Sequence, residues 1–300
     1  MKRIFLVITL IVSCLFISSC GKSDAAKSAD AMIESIGEVT LESESKIDNV
    51  QKTVDALSTE DRQQLENLDV LKKSHEKLSQ LKAEQVISKI DAIGNVTIDS
   101  KDVITSVRRE YDALGDNEKS KVKNYSTLSE AENTLKELKK ARGEQILANL
   151  HVDEDKVQNC TYYMSKTLSF LSDGRWISDQ RCFILPYIVR GGNSVYLRLI
   201  CNYTYDSWVF FKKIIVVADD QRYTKNFNYG DITRDNGGGL VWEYSDTEVG
   251  VDDQVMLWAI ANSNETTVRF EGDDYRWDFT VTSGDKAAIR DILTAYDNLK

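Results

Sequence analysis

The feature that most constrains the fold is an internal repeat in the first half of the chain, displaced by 57 residues. The matched pairs include Ile33 with Ile90, Ile36 with Ile93, Gly37 with Gly94, Ile47 with Ile104, Val50 with Val107, Leu71 with Leu128 and Leu78 with Leu135. Within each copy the apolar residues are three or four positions apart, or multiples of that, which places them on one face of a helix. The sequence therefore predicts two helical repeats, at 31–85 and 86–145.

The two copies also share their turn residues. Gly37 and Gly94 are placed to end a helix, because glycine adopts a left-handed backbone conformation at little cost. Thr40 and Thr97, each followed by a serine three positions later, are candidate caps of the next helix. We therefore expect each copy to fold as a small helical bundle.

The second copy contains the blocks Ala-Ile-Gly-x-Val-Thr-Ile-x-Ser and Tyr-Asp-Ala-Leu within residues 92–114. It resembles the tandem helical repeats of extracellular proteins and lipoproteins of Gram-positive bacteria. The first copy has Ser35 in place of Ala92 and Val54 in place of Tyr111, so its kinship rests on spacing. Such repeats act as a spacer or as a docking surface, and the charged exposed positions favour the spacer.

Aromatic residues are concentrated in the second half of the chain. Two of the 27 lie in 21–150 and 23 lie in 151–300. A chain of this length holds about two domains, so the change predicts a boundary near residue 150. Beyond residue 160, short runs rich in Val, Ile, Tyr, Phe and Trp alternate with Gly, Asn and Asp clusters, which is typical of strands and turns. The predicted fold is multidomain, with all-α helical repeats followed by a strand-rich α+β domain with an antiparallel sheet.

Both halves of the chain are acidic. The net charge is −5 over 21–150 and −7 over 151–300. Binding to nucleic acid requires clustered Lys and Arg to neutralise phosphates. We therefore expect no nucleic-acid partner.

The first 20 residues have the composition of a secretion signal. Residues 1–3 are positively charged, and the apolar run at 4–17 is too short for the ~20 residues that span a bilayer. The sequence Ile17-Ser18-Ser19-Cys20 resembles the bacterial lipobox, which implies that Cys20 is lipidated and that its acyl chains, such as palmitate, hold the protein on the membrane. The alternative is an ordinary signal peptide. We expect an extracytoplasmic lipoprotein, with residues 21–30 as a flexible tether.

The clearest pair of strands joins Arg181–Val189 to Ser194–Tyr203. We expect a register in which the numbers of two paired residues sum to 383, because it makes one face of the hairpin entirely apolar. That face consists of Cys182, Ile184, Pro186 and Ile188 opposite Cys201, Leu199, Leu197 and Val195. Pro186 lacks an N–H and must lie where the backbone points away from its partner. A four-residue loop, closed by Val189 and Ser194, meets that demand. A further strand is predicted from Trp208 to Ala218.

This register also bears on the cysteines. It makes Cys182 and Cys201 a directly opposed pair that is not hydrogen-bonded, in which Cβ atoms approach most closely. A disulfide between them is one hypothesis. Buried free thiols are the alternative, since Cys160 would remain without a partner.

The other face of the hairpin suggests a binding surface. Arg181, Tyr187, Tyr196 and Arg198 would share it, where aromatic rings can stack on sugars or peptides and arginine can bind anions. We therefore expect an extracellular glycan, peptide or protein as ligand. The alternative is that a helix covers this face and buries these residues.

Catalysis has weaker support. The only histidine of the second half is His151 at its edge, so a histidine-based triad is not expected. Glu243 with Asp231 or Asp235 leaves a carboxylate-dependent enzyme as the alternative function. Asp231, Asp235 and Asn236 match no calcium-loop spacing, and no metal or cofactor is expected. The strings at 231–237 and 241–244 resemble uncharacterised extracytoplasmic domains of Firmicutes, which implies no known activity.

Overall fold

The computed structural model describes residues 21–166 and 181–300. The proposed signal and Cys20 lie outside these residues. The chain divides into two compact units, one ending at Glu132 and the other running from Asn133 to Lys300. In the described ranges, no helix is long and apolar enough to cross a membrane.

The first unit is helical. Its helices are α1 (Asp24–Glu34), α2 (Glu44–Asp55), α3 (Thr59–Arg62), α4 (Leu68–Asp91), α5 (Lys101–Asp112), α6 (Asp116–Lys119) and the start of α7 (Tyr125–Leu147). Short 3₁₀ turns at Leu41–Ser43 and Ile98–Ser100 lead into α2 and α5. Apolar residues at helical spacing form its core, among them Ile33, Ile47, Val50, Leu71 and Leu78.

The glycines behave as predicted, whereas Thr40 and Thr97 precede the 3₁₀ turns rather than α2 and α5 themselves. Gly37 and Gly94 have φ angles of +69° and +62°, in the left-handed region. The backbone N–H of Thr40 donates to the hydroxyl of Ser43, and that of Thr97 to its counterpart Ser100, each over 3.0 Å. Helix α4 then runs without a break across the predicted boundary between residues 85 and 86.

Residues 21–30 do not form the predicted flexible tether, because most of them belong to α1. The Ser23 hydroxyl caps the helix by accepting from the backbone N–H of Ala26. Ala26 and Ala29 are buried, and the buried Asp30 carboxylate accepts a hydrogen bond from the ammonium group of Lys22. Alanines three positions apart thus form an apolar helix face. The small and polar residues of this segment gave no sign of that face in the sequence.

The second unit is strand-rich with antiparallel pairing, as the sequence predicts, and its strands form two sheets. The larger has the order β1-β2-β3-β4-β8-β7 and the smaller the order β10-β9-β5-β6. The strands are β1 (His151–Asp155), β2 (Cys160–Met164), β3 (Phe183–Gly191), β4 (Ser194–Tyr205), β5 (Lys213–Ala218), β6 (Gln221–Asn226), β7 (Ile232–Gly237), β8 (Leu240–Glu248), β9 (Thr266–Glu271) and β10 (Arg276–Thr280). Helices α8 (Val251–Asn262) and α9 (Ser283–Leu299) complete the α+β unit.

The core of this unit joins the two sheets. Tyr203 of β4 is completely buried, with its ring centroid 5.8 Å from that of Phe270 on β9. Ile289 and Leu293 of α9 are buried in the same core. The C-terminal end of α7 also belongs here, since Leu147 lies in this core. The unit boundary therefore falls inside α7 rather than near residue 150.

The hairpin of β3 and β4 has a different register from the predicted one. Ile184 is opposite Cys201 and Gly191 is opposite Ser194, so paired numbers sum to 385 and the loop has two residues. Gly192, the first loop residue, has a φ of +58°, a conformation that two-residue hairpin turns require and that glycine adopts readily. A shift of two positions keeps every side chain on its face and lengthens the ladder, so alternation alone does not distinguish the two registers.

Of the two hypotheses for the cysteines, the structure has the free thiols and not the disulfide. Ile184, rather than Cys182, lies opposite Cys201, and both cysteines are free thiols, as is Cys160. The Cys182 thiol lies 3.6 Å from the backbone carbonyl oxygen of Thr204. Cys201 is completely buried, and this burial raises its pKa to about 12.

Candidate functional site

A cavity of about 750 Å³ opens on the large sheet near the tip of the β3–β4 hairpin. Four strands and the β1–β2 turn contribute to its lining. The charged and aromatic lining residues are Tyr162, Tyr187, Tyr196, Arg198, Asp246 and Glu248. Gly191 and Gly192 also line it and leave the hairpin backbone open to the cavity. The volume is in the range of small-molecule sites.

The strand register explains why these side chains meet. Tyr187 on β3 is opposite Arg198 on β4, which is opposite Glu248 on β8. These three residues form one row across the sheet. A second row, two residues closer to the hairpin tip along each strand, consists of Tyr162 on β2, Val189 on β3 and Tyr196 on β4. Since directly paired residues project from the same face, both rows border one space.

Three of the lining residues form a hydrogen-bonded triad. Arg198 Nε donates to Asp246 Oδ1 over 2.9 Å, and Arg198 Nη2 donates to the backbone oxygen of the same residue over 2.8 Å. The Tyr187 hydroxyl donates to Asp246 Oδ2 over 2.7 Å and accepts from Arg198 Nε over 3.0 Å. The guanidinium is therefore fixed in position and its charge is balanced by Asp246.

Two of the tyrosine hydroxyls are held in the neutral form. Burial, followed by the charge of Asp246, raises the pKa of Tyr187 above its ordinary value. The hydrogen bond with Cys160, followed by burial, raises the pKa of Tyr162 to about 12. Both hydroxyls are thus protonated at neutral pH and present neutral phenol rings to the cavity.

Three of the four residues predicted to bind a ligand meet in this cavity, and Arg181 does not. Tyr187, Tyr196 and Arg198 line the space, and 46% of Tyr196 is exposed. Arg181 instead forms two hydrogen bonds, of 2.5 and 2.8 Å, with the buried carboxylate of Asp285 at the start of α9. Its guanidinium is engaged in that ion pair, because an unpaired buried carboxylate would be costly.

The alternative in which the C-terminal helix covers these residues does not hold at the cavity. No residue of α9 contributes to the lining, although α9 packs against β3 elsewhere. The sequence did not predict Asp246 and Glu248 as site residues, because only the pairing of β8 with β4 brings them to the cavity. That pairing joins residues about 50 positions apart and carries no local signal.

Glu243, the acid on which the enzyme alternative depended, is completely buried. Its Oε1 accepts the backbone N–H groups of Val209 and Phe210 over 2.8 and 2.6 Å. Its Oε2 accepts the backbone N–H of Phe211 and Nε of Arg234, both over 2.9 Å. The carboxylate therefore organises the loop before β5, and the strand predicted from Trp208 begins only at Lys213.

The other acids of that alternative make local contacts. Asp231 Oδ2 accepts from the backbone N–H of Asn228 over 2.8 Å, and Asp235 Oδ1 accepts from the backbone N–H of Asn236 over 2.8 Å. Within the part of the chain that the structure describes, no cluster of His, Cys, Asp and Glu is arranged to hold a metal ion.

Fold and site together define a chain with a helical unit and an antiparallel α+β unit that carries an open polar and aromatic cavity. No protein-family model matches this chain, and no curated protein or solved structure matches it significantly.

Proposed function

We propose that the protein is a lipid-anchored extracytoplasmic lipoprotein whose C-terminal unit binds a ligand without catalysis. The observation that carries the binding role is the cavity in which Tyr187, Tyr196 and Arg198 meet. It is an open polar space with a preformed hydrogen-bond network and a partly exposed aromatic ring. These are the usual components of a site that orients a small ligand.

A binding role is favoured over carboxylate chemistry by the state of Glu243. All four hydrogen bonds to its oxygens come from fixed protein groups, and the residue has no exposed surface. A general acid or base must reach the proton that it transfers in a bound substrate. Glu243 has no such access.

The helical unit would serve as the spacer, built from two repeats. Supporting this, α2 and α5 begin and end 57 residues apart, as do α3 and α6. The whole of α1 likewise corresponds to the second half of α4, since the buried Ala26, Ala29 and Ile33 correspond by number to the buried Ala83, Val86 and Ile90. Helix α4 would then belong to both repeats, which accounts for its unbroken length.

The anchor is supported by the sequence Ile17-Ser18-Ser19-Cys20. A Cys20→Ala variant tests it. We expect the unchanged protein to incorporate labelled palmitate and to sediment with membranes, whereas the variant does neither. Equal incorporation by both proteins would contradict lipidation at Cys20.

The binding role is tested by a glycan and peptide array probed with the unchanged protein and with Tyr196→Ala. Tyr229→Ala is the matched control, because Tyr229 is 92% exposed and does not line the cavity. Binding that Tyr196→Ala weakens and Tyr229→Ala leaves unchanged would support the cavity as the site. Equal binding by all three proteins would exclude it.

A further inference from the structure

We propose that this cavity selects an organic cation, a ligand with an ammonium group, over neutral and anionic ligands. The inference rests on the proposed binding function and adds the chemical class of the ligand. It depends on the balance of charge in the lining and on the three tyrosine rings that accompany it.

The described lining carries more negative than positive charge. Arg198 is its one cationic residue, whereas Asp246 and Glu248 are both acidic. Asp246 and Arg198 neutralise each other across the 2.9 Å contact between Oδ1 and Nε. Glu248 is exposed and forms no ion pair within the described ranges, so its charge remains available to a ligand.

The same pairing disfavours anions. A ligand carboxylate or phosphate would have to share Arg198 with Asp246, which already accepts from Nε and Nη2 and balances the charge of the guanidinium. An anion bound to the remaining N–H groups would lie near the carboxylate of Asp246 and beside Glu248, which is opposite Arg198 in the same row. Like-charge contacts of this kind reduce affinity. Sequence alone suggested an anion-binding arginine, and the contacts argue against it.

The aromatic residues suit a cation. Tyr162, Tyr187 and Tyr196 all border the cavity, and the rings of the first two are 6.3 Å apart and inclined by 38°. Neutral phenol rings attract an ammonium group through the negative potential of their faces, and quaternary ammonium groups are bound by such clusters of aromatic rings. The lining thus combines an unpaired carboxylate with several tyrosine rings.

The size of the cavity favours an organic ligand over a metal ion. A volume of about 750 Å³ far exceeds that of a single ion and accommodates a small molecule. The described residues also contain no group of His, Cys, Asp and Glu placed to coordinate a metal. Quaternary and primary ammonium groups both carry the positive charge that such a site would bind, and choline and spermidine distinguish between them.

Isothermal titration calorimetry on the full chain tests the proposal with matched probes. Choline and 3,3-dimethyl-1-butanol have the same shape and differ by the positive charge on the nitrogen. We expect choline to bind at least roughly 10-fold more tightly than its neutral isostere, and acetate not to bind. Spermidine, used as a second cation, reports whether primary ammonium groups are accepted in place of a quaternary one.

Two isosteric variants locate the effect. Glu248→Gln should weaken cation binding roughly 10-fold and reduce its dependence on salt. Asp274→Asn removes the same charge from an exposed turn outside the cavity and should leave cation binding unchanged. Tyr196→Ala should weaken binding of every cation that the unchanged protein accepts.

These experiments can overturn the proposed selection of cations without overturning the cavity as a binding site. If the neutral isostere binds as tightly as choline and Tyr196→Ala weakens both, the cavity remains a binding site but the proposed charge selection is wrong. Equal losses in Glu248→Gln and Asp274→Asn would also overturn it, since the effect would then be one of net charge. Absence of binding by choline and spermidine at millimolar concentration overturns the proposal, while the array with Tyr196→Ala still decides the binding function.

Discussion

The buried carboxylate of Glu243 accepts a 2.6 Å hydrogen bond from the backbone N–H of Phe210, a residue whose φ of +52° lies in the left-handed region. Bulky residues avoid this conformation, so surrounding contacts must hold it. Glu243 supplies several of them by accepting the neighbouring N–H groups of Val209 and Phe211 as well. The backbone of residues 209–211 is therefore held by one side chain from β8.

We predict that Glu243→Gln lowers the free energy of unfolding of the second unit by about 2–4 kcal/mol. The amide replaces one acceptor oxygen with a donor that faces backbone N–H groups. Urea unfolding followed by tryptophan fluorescence measures the change, because all five tryptophans lie beyond residue 150. Glu248→Gln is the control, since Glu248 is exposed. A loss for Glu243→Gln no larger than for the control would contradict this role.

Gly272→Ala should destabilise the same loop through a steric clash with its backbone. A Cβ atom at this position would lie 2.3 Å from the backbone oxygen of Val209 and 2.7 Å from that of Phe210. Backbone atoms yield little, so we expect a loss of about 1–3 kcal/mol in the same unfolding experiment. Gly230→Ala is the comparison, because a Cβ there meets nothing within 4 Å. Similar stability of the two variants would show that the loop relaxes freely.

The free thiols predict a graded reactivity toward alkylating reagents. Cys201 should stay unmodified in the native protein at pH 8, because burial raises its pKa to about 12 and excludes the reagent. Cys160 and Cys182 are both half-buried, but burial raises the pKa of the Cys182 thiol, so Cys160 should react first. After denaturation without reductant, Cys160, Cys182 and Cys201 should all react, as detected by peptide mass mapping. Protection of Cys182 and Cys201 under those conditions would indicate a bridge between them.

The first unit should lose stability in acid through Asp30. Burial opposes its ionisation, but Lys22 and the backbone N–H groups of Glu66 and Asn67 outweigh burial, and the pKa of Asp30 lies below its ordinary value. A depressed folded-state pKa contributes stability that is present above the unfolded value of about 3.9 and is lost as the pH falls through the folded one.

We therefore expect Asp30→Asn to destabilise the helical unit at neutral pH and to make its stability less sensitive to pH below about 4. Urea unfolding followed by far-ultraviolet circular dichroism measures both effects. Asp24→Asn removes the same charge from the same helix, but the Asp24 side chain is fully exposed and should matter little. If Asp30→Asn retained the full acid dependence of the unchanged protein, Asp30 would not be its source.

Local patterns predicted the helical unit well and the strand-rich unit in outline. Apolar spacing placed Ile47 and Val50 in the core, and glycine chemistry identified the left-handed positions at Gly37 and Gly94. These features depend on residues close in sequence. The prediction of a flexible tether at residues 21–30 was wrong, because alanine occurs in linkers but is also apolar enough to pack in a helix core.

The errors in the second unit come from partners that are distant in sequence. Alternation and Pro186 define the faces of the β3–β4 hairpin, but a shift by two positions satisfies both, and the glycine turn decides the register. The composition of residues 208–211 is typical of a strand. Their backbone N–H groups nevertheless donate to the carboxylate of Glu243, more than 30 positions away, instead of to a neighbouring strand. The sequence predicts Arg181 on the ligand-binding face of the hairpin. In the structure its guanidinium instead pairs with Asp285, 104 residues later in the chain.

The position of Cys160 gives the cavity a built-in attachment point for a reporter. Its thiol borders the space that holds Tyr162 and Arg198, while Cys201 is sealed in the core. A fluorescent maleimide coupled at Cys160 would sense a molecule entering the cavity through a change in emission. Occupancy can thus be followed across a library of small molecules, whatever their chemistry, without introducing a cysteine by mutation.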